Sequence, residues 1–458
     1  MLIRFVFENF RSFKEESVFE MLATSSKEHS SHIINDEENK PVSTVRIAAM
    51  YGANASGKSN VVSAMSFAQD LIVDGTKNEQ RINVTPFRLD KKSRLNPSKF
   101  EFTFKHLGVI YIYGFILSSN EIIEEWLFVT PKNREVKYFE RVTKKNKVKV
   151  EFGDSFVRKG KGAKSKQFLD FVAEGTRPNQ LFLTEAVNHN VERLKPIRQW
   201  FTDVLQIIEA ESHYGALEIK VQKDKTFTGF LGNFLESVGT GIEEITTEKR
   251  NLNLDTDFEG MDEDDKRKLK DRLAKGGAVS MHRSDGAQFC VTQEDGNELI
   301  LINLKTKHVG ADQTTELFDV EDESDGTQRL MHLVPVLFSS KYTDNVYVID
   351  ELDRRLHPLL SQAFLRNYLN CAENRKGQLI FTTHDTNLLD AELLRNDEVW
   401  FVEKNNHGAS KLYSLAEFKL RQGLKIEKGY LNGRFGAIPF ISELNINKTS
   451  KNGENQTS

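Results

Sequence analysis

The sequence predicts an α/β fold with a mixed/parallel sheet core, an antiparallel β lobe and a mainly helical insertion. Three observations carry this. After Thr327, short apolar runs (VYVID, LIFTTH, EVWFVEK) alternate with helical patterns, as parallel strands buried on both faces do. From Lys99 to Val150 apolar and polar residues alternate through FEFTF, VIYIYGFIL, EEWLFVT, KYFERV and KVKVEF, the pattern of successive antiparallel strands. Between about 165 and 320 helical periodicity takes over in QFLDFVAEG, LFLTEAVN and VERLKPIRQWFTDVLQII.

Composition bounds the answer. The 458 residues are 38% hydrophobic and 28% charged, enough for two or three domains with a sizeable core. The 63 Lys+Arg against 67 Asp+Glu leave a net charge of −4, which argues against a wholesale basic nucleic-acid binder. Cys290 and Cys371 are far apart and lack CxxC spacing, so neither a disulfide framework nor a cysteine zinc site is indicated. No apolar run reaches the roughly 18 residues of a membrane helix. The start MLIRFVFENFRSF alternates like a strand and carries charges, unlike a signal peptide. A soluble, cytoplasmic protein without a membrane span is expected.

In chain order, LIRFVF (2–7) is a strand and NFRSF a turn. Polar residues 25–45 form a loop or hairpin. An apolar strand, Val45–Met50, then runs into YGANASGKSN, and a helix continues to about Val73. Gly52 to Ser59 fits G-x-x-x-x-G-K-[ST] between a strand and a helix, the context that motif requires. Glycines let successive N–H groups face a polyphosphate, and the helix N-terminus favours negative charge. Gly52, Asn54, Ser56, Gly57, Lys58, Ser59 and Asn60 are therefore candidate phosphate ligands, Lys58 for the β- and γ-phosphates and Ser59 for Mg²⁺.

Between 131 and 170 there are 13 Lys/Arg and five Asp/Glu, an excess of +8. Solvated hairpin edges and a landing site for nucleic acid or an acidic partner both fit that excess. Seven acidic residues between Asp255 and Asp265 read as a solvated loop. Residues 286–320 return to strand-like alternation.

Ser324-Asp325-Gly326 precedes an apolar helix, where a hydroxyl and backbone N–H groups suit an anion. Val346–Ile349 then delivers Asp350 and Glu351 to a strand's C-terminal edge. There Asp350 is placed to hold Mg²⁺ and Glu351 to act as general base on a water. His384 ends another buried strand 34 residues after Asp350, at the position of a γ-phosphate sensor.

Phosphate loop, Ser-x-Gly turn, acidic strand, Leu352-Asp353 and His384, in that order, resemble the ABC-type ATPase heads of the SMC, Rad50 and RecF group. DELDRRLHP (350–358), THDTNLLD (383–390) and GYLNGRFGAIP (429–439) look like a bacterial AAA family of phage-defence ATPases that includes the ATPase subunit of the PARIS system. The resemblance covers about 1–160 and 315–445. It implies ATP and Mg²⁺ as cofactors and a head-to-head dimer. In that dimer Ser324 and Gly326 of one subunit close over the nucleotide of the other, and Asp353 couples the two sites. It further implies a homo-oligomer, an effector protein encoded by an adjacent gene, and a phage trigger. Two features depart from the pattern: the signature reads SDGTQ, and VTPFRLD after the first helix supplies no Q-loop glutamine, only Arg88. Arg11 is open between a phosphate contact and a surface arginine, and Arg434 reads as pinning the C-terminal turn.

The expected organisation is 1–160 and 316–447 as two halves of one head, 161–315 as a lid or oligomerisation region, and 448–458 as a disordered tail. The insertion lacks sustained heptads and a zinc hook, which disfavours DNA tethering. With 74 residues after His384 there is no room for an appended nuclease domain. An ATP-hydrolysing switch acting on a partner is the expectation. A RecF-type DNA-binding ATPase of repair or recombination, using residues 131–170, is the alternative.

Overall fold

The structure, a computed structural model, describes residues 1–38, 41–131, 134–158, 163–258, 260–274, 278–282, 288–293, 298–419 and 425–438. The tail from 448, and residues 132–133 and 159–162 of the basic stretch, lie outside the described residues.

A six-stranded sheet forms the centre. In space its order is Leu205–Ile208, Val346–Ile349, Gln378–Thr382, Ile47–Tyr51, Val399–Lys404 and Ser410–Ser414. The first five are parallel and the last returns antiparallel. Ile47–Tyr51, Val346–Ile349 and Gln378–Thr382 are buried at every position, which is why they read as apolar runs. Parallel pairing brings the turns after Tyr51, Ile349 and Thr382 to one edge of the sheet, where open α/β sheets bind ligands.

The β lobe is a seven-stranded antiparallel sheet running Lys147–Phe152, Val136–Lys144, Ile122–Thr130, Val109–Leu117, Ser98–His106, Leu2–Glu8 and Ser17–Glu20. Its inner face and the central sheet share one core, into which the helix Lys58–Val73 presents Val61, Ala64, Met65 and Ala68. The Gln378 side chain fastens the two sheets: its Oε1 accepts from Leu2 N at 2.6 Å and its Nε2 donates to Leu2 O at 3.0 Å. Helices Asp325–Ser340 and Pro358–Ala372 cover the other face with Leu330, Leu333, Val334, Phe364 and Tyr368.

The stretch 161–315, expected as one insertion, divides. The helical path of VERLKPIRQWFTDVLQII stops at Val204, and Leu205–Ile208 enters the central sheet with Leu205 opposite Val346. A four-residue strand is too short to interrupt a helical period, so the sequence conceals it. Trp200 stacks on Phe104 at 4.2 Å, and Leu181, Phe182 and Phe201 lie in the same core. Residues up to 208 therefore belong to the core shared by the two large sheets. The later part builds its own antiparallel sheet from Glu244–Asn251, Val279–His282, Gln288–Gln293, Leu299–Val309 and Thr315–Asp319. A small core of Leu252, Leu269, Leu273, Phe289, Val291 and Leu301 sits beneath it.

The acidic run differs from the expected loop. Asp262 caps the helix Glu263–Leu273, accepting from Asp264 N and Asp265 N. Acids fill its first turn and Lys270 and Arg272 its last, matching the helix dipole. Among the described residues no helix is long and apolar enough to cross a membrane.

Candidate nucleotide site

Close approach and left-handed backbone shape the loop between strand Ile47–Tyr51 and helix Lys58–Val73. A Cβ on Gly52 would stand 2.3 Å from Val402 O, and Gly57, at φ 118°, would place one 2.6 Å from Ser410 Oγ and 2.7 Å from Ser12 Oγ. Only glycine meets both demands. Ser410 Oγ donates to Ser56 O at 2.5 Å and lies 2.8 Å from Ser12 Oγ, while Asn60 Nδ2 donates to Ser12 Oγ at 2.7 Å. The first turn of the chain and the last hairpin of the sheet thus grip the loop from outside.

Inside the loop, Lys58 is buried and donates to Gly52 O at 2.8 Å and Ala53 O at 3.3 Å. Burial pushes its ammonium down to about 8, against the opposing pull of Asp350, Glu351 and Asp353. Its Nζ lies 3.4 Å from His384 Nδ1. The His384 imidazole is held below its ordinary value first by burial and then by Lys58, which favours the neutral ring.

The acids arrive from the neighbouring strands. Asp350 Oδ1 accepts from Ser59 Oγ at 3.1 Å and from Thr382 Oγ1 at 2.6 Å. The Thr382 hydroxyl in turn accepts from Glu351 N at 2.7 Å, so one side chain orients both acids. Glu351 has φ 51° and Arg355 φ 62°, left-handed values that cost a non-glycine residue about 1–2 kcal/mol. Arg329, on the helix Asp325–Ser340, donates to Glu351 O at 3.4 Å. Arg354 stands 3.5 Å from the Glu351 carboxylate and also pairs with Glu211. Asp353 accepts from His384 N at 3.2 Å.

A cavity of about 490 Å³ results, lined by Asn54 to Asn60, Glu351, His384 and Lys404. A neighbouring space of about 660 Å³ adjoins it along Gly52 to Ser56, walled by Tyr430, Leu431, Ala437 and Ile438. The structure brings Gly52, Asn54, Ser56, Gly57, Lys58, Ser59, Asn60, Asp350, Glu351, Asp353 and His384 together at this edge. Ser324 and Gly326 do not line either cavity. Ser324 caps its helix by accepting from Thr327 N at 3.2 Å, and a Cβ on Gly326 would stand 2.9 Å from Arg355 O. Arg88 is exposed and lines neither cavity. Arg11 donates to Ser63 Oγ at 2.9 Å. The turn carrying Arg434 is tied down by Tyr413 OH donating to Phe435 O at 2.7 Å and Tyr430 OH to Ala437 O at 3.1 Å.

Sequence reasoning missed Ser12, Thr382, Lys404 and Ser410. Thr382 carried a faint signal, a hydroxyl at the C-terminal end of an apolar strand. The others carried none. In the basic stretch, Lys137 pairs with Glu140 at 2.9 Å and Glu151 at 2.8 Å. Lys144, Lys147 and Lys149 rim a groove of about 830 Å³ together with Glu124, Glu140 and Glu151, so charge of both signs is interleaved there.

A family model described as "AAA domain, putative AbiEii toxin, Type IV TA system" matches residues 47–390. The chain belongs to this AAA family. The matched span begins at the strand before the phosphate loop and ends just past His384, so it contains Lys58, Ser59, Asp350, Glu351, Asp353 and His384 but not Lys404, the Ser12–Ser410 grip or the wall of Tyr430, Leu431, Ala437 and Ile438. No curated protein matches the chain. Among solved structures it is similar to an SMC head bound to the C-winged helix domain of ScpA, with 12% identity and a TM-score of 0.38 over 90% of this chain and 97% of that one. It is also similar to the SMC head domain from Thermotoga maritima, with 13% identity and a TM-score of 0.36 over 92% and 99%. An SMC head from Pyrococcus furiosus, bound to the C-terminal domain of ScpA, gives 12% and 0.34 over 95% and 98%.

The residues fit a nucleoside triphosphate with Mg²⁺. Ser56 Oγ is buried without a partner, a polar atom left over inside the loop. Ser59 and Asp350 are hard oxygen donors of the kind Mg²⁺ takes beside phosphate oxygens.

Proposed function

We propose that this AAA protein is an ATP-hydrolysing switch of an anti-phage defence system, working as a head-to-head homodimer or larger homo-oligomer that controls a partner effector. The observation that carries the hydrolytic part is the convergence of Lys58, Ser59, Glu351 and His384 on one cavity, with Asp350 directly behind Ser59 at 3.1 Å. Bound ATP with Mg²⁺ supplies the phosphoanhydride bond and the neutralised charge that hydrolysis requires. Lys58 and the loop amides bind phosphate. Ser59 and Asp350 hold the metal. Glu351 Oε takes the proton of the attacking water. His384 offers a neutral ring at the terminal phosphate, and Thr382 keeps the two acids in register.

The dimer reading is supported by what the cavity lacks. Ser324 and Gly326 sit outside it in their own subunit, so a second copy would have to bring them. A family description that names a toxin–antitoxin system supports a two-protein arrangement. Interleaved charge in the basic stretch gives the DNA-binding alternative no favouring observation.

The test is Glu351→Gln measured beside Lys58→Ala. Glu351→Gln should keep ATP affinity, lose at least about a hundredfold in phosphate release and accumulate ATP-bound dimers on sizing columns. Lys58→Ala should bind no nucleotide. Undiminished turnover in Glu351→Gln would remove the mechanism, and a monomer under every nucleotide condition would remove the switch.

A further inference from the structure

The hairpin Val399–Lys404/Ser410–Ser414 turns one face to the phosphate loop. Directly opposed residues of an antiparallel ladder put their side chains on the same face, and Lys404 stands opposite Ser410. Ser410 fixes which way that face looks, because its hydroxyl touches Ser56 O and its Oγ lies where a Gly57 Cβ would go. Lys404 accordingly lines both the 490 Å³ cavity and the 660 Å³ space beside it.

The local cation inventory gives this position a use. Lys58 already directs its ammonium at Gly52 O, Ala53 O and His384 Nδ1, and the His384 ring is disfavoured as a cation. Lys404 is exposed, and among the described residues it has no side-chain hydrogen bond or ion pair. Among the described residues lining this cavity it is therefore the uncommitted cation, reaching it from the strand on the far side of the phosphate loop from Glu351. We propose that Lys404 binds the terminal phosphate of a bound nucleoside triphosphate from the hairpin side, so that the grip on the loop also sets the discrimination between triphosphate and diphosphate. This rests on the nucleotide reading of the site above.

Displacement of a fluorescent nucleotide by ATP and by ADP, each with Mg²⁺, tests it on the full chain. Lys404→Ala should weaken ATP about tenfold, the scale of one charge-assisted hydrogen bond, and ADP less than about twofold. Lys404→Arg should restore ATP binding to within about threefold, because it keeps the charge. Lys411→Ala is the control. Lys411 is the next residue along from Ser410, opposes Glu403 on the other face of the hairpin, and its loss should move neither affinity. Equal weakening of ATP and ADP, or no weakening of either, overturns the proposal and leaves the nucleotide site standing. A wild-type chain that binds neither nucleotide removes both.

Discussion

Residues 52–58 and residues 350–355 face each other across one cavity, and different forces hold them. In the first segment shape does most of the holding: two glycines sit where a Cβ would meet Val402 O, Ser410 Oγ or Ser12 Oγ, Lys58 is tied to loop carbonyls, and one distant hydroxyl, Ser410 Oγ, donates to Ser56 O. In the second, side chains from distant parts of the sequence do it. Thr382 orients both acids, Arg329 reaches Glu351 O, and Arg354 links Glu351 to Glu211. Two non-glycine residues there carry left-handed backbone, against one, Ala55 at φ 60°, in the first. A segment held by shape is preformed. One held by exchangeable bonds under strain can be re-set, and strain of this sort collects where proteins switch. The second segment also touches the helix Asp325–Ser340 through Arg329 and the Gly326–Arg355 approach, so whatever moves that helix acts on Glu351.

Breaking the shape-held segment should have the largest effect. Gly52→Ala puts a methyl 2.3 Å from the backbone oxygen of Val402, which no side-chain rearrangement relieves. Overpacking of this kind costs about 3 kcal/mol, and urea unfolding should register it together with complete loss of nucleotide binding. A variant with wild-type stability and affinity would mean that the loop is not locked by the strand beside it.

The bond-held segment should respond in the opposite direction. Glu351→Gly removes the left-handed penalty at φ 51° and should raise stability by roughly 0.5–1 kcal/mol while abolishing phosphate release. Thermal melting with a turnover assay checks both halves. A lowered melting temperature would show that the bonds of the Glu351 side chain outweigh the strain.

The same contrast explains what could be read from the letters. A shape-held segment writes its constraint into its own residues, because only glycine satisfies positions 52 and 57, and the motif is visible without a structure. The buried strands were visible for a similar reason, since burial on both faces demands apolar side chains throughout. Thr382 acts on a residue 32 positions away, and Ser410 on one 354 positions away. No local pattern encodes either pairing. Leu205–Ile208 was hidden because its four residues extend a helical period without breaking it. The acidic run at 255–265 misled because charge composition does not distinguish a loop from a helix start capped by Asp262.

The smallest expected effect concerns the lysine inside the rigid loop, and it asks where that segment keeps its cost. Without nucleotide, burial lowers the Lys58 ammonium from 10.5 to about 8, while the unfolded chain keeps the ordinary value. Between those two values the unfolded state binds more protons than the folded one, so this group's contribution to stability rises with pH across that window. Below about 8 the burial penalty is felt in full, and above 10.5 it is gone. Phosphate pulls the other way, because a polyanion beside Lys58 favours the ammonium. From Lys58, nucleotide binding at about pH 9 should therefore take up a fraction of a proton, and at about pH 6.5 none. Calorimetric titration in buffers of different ionisation enthalpy measures that uptake directly. ATP affinity should fall gradually as pH rises above about 8. In Lys58→Arg, whose guanidinium stays charged throughout, uptake from this position should vanish. Proton uptake that is absent in the wild type at both pH values would place the cost of the preformed loop in its backbone and not in its lysine.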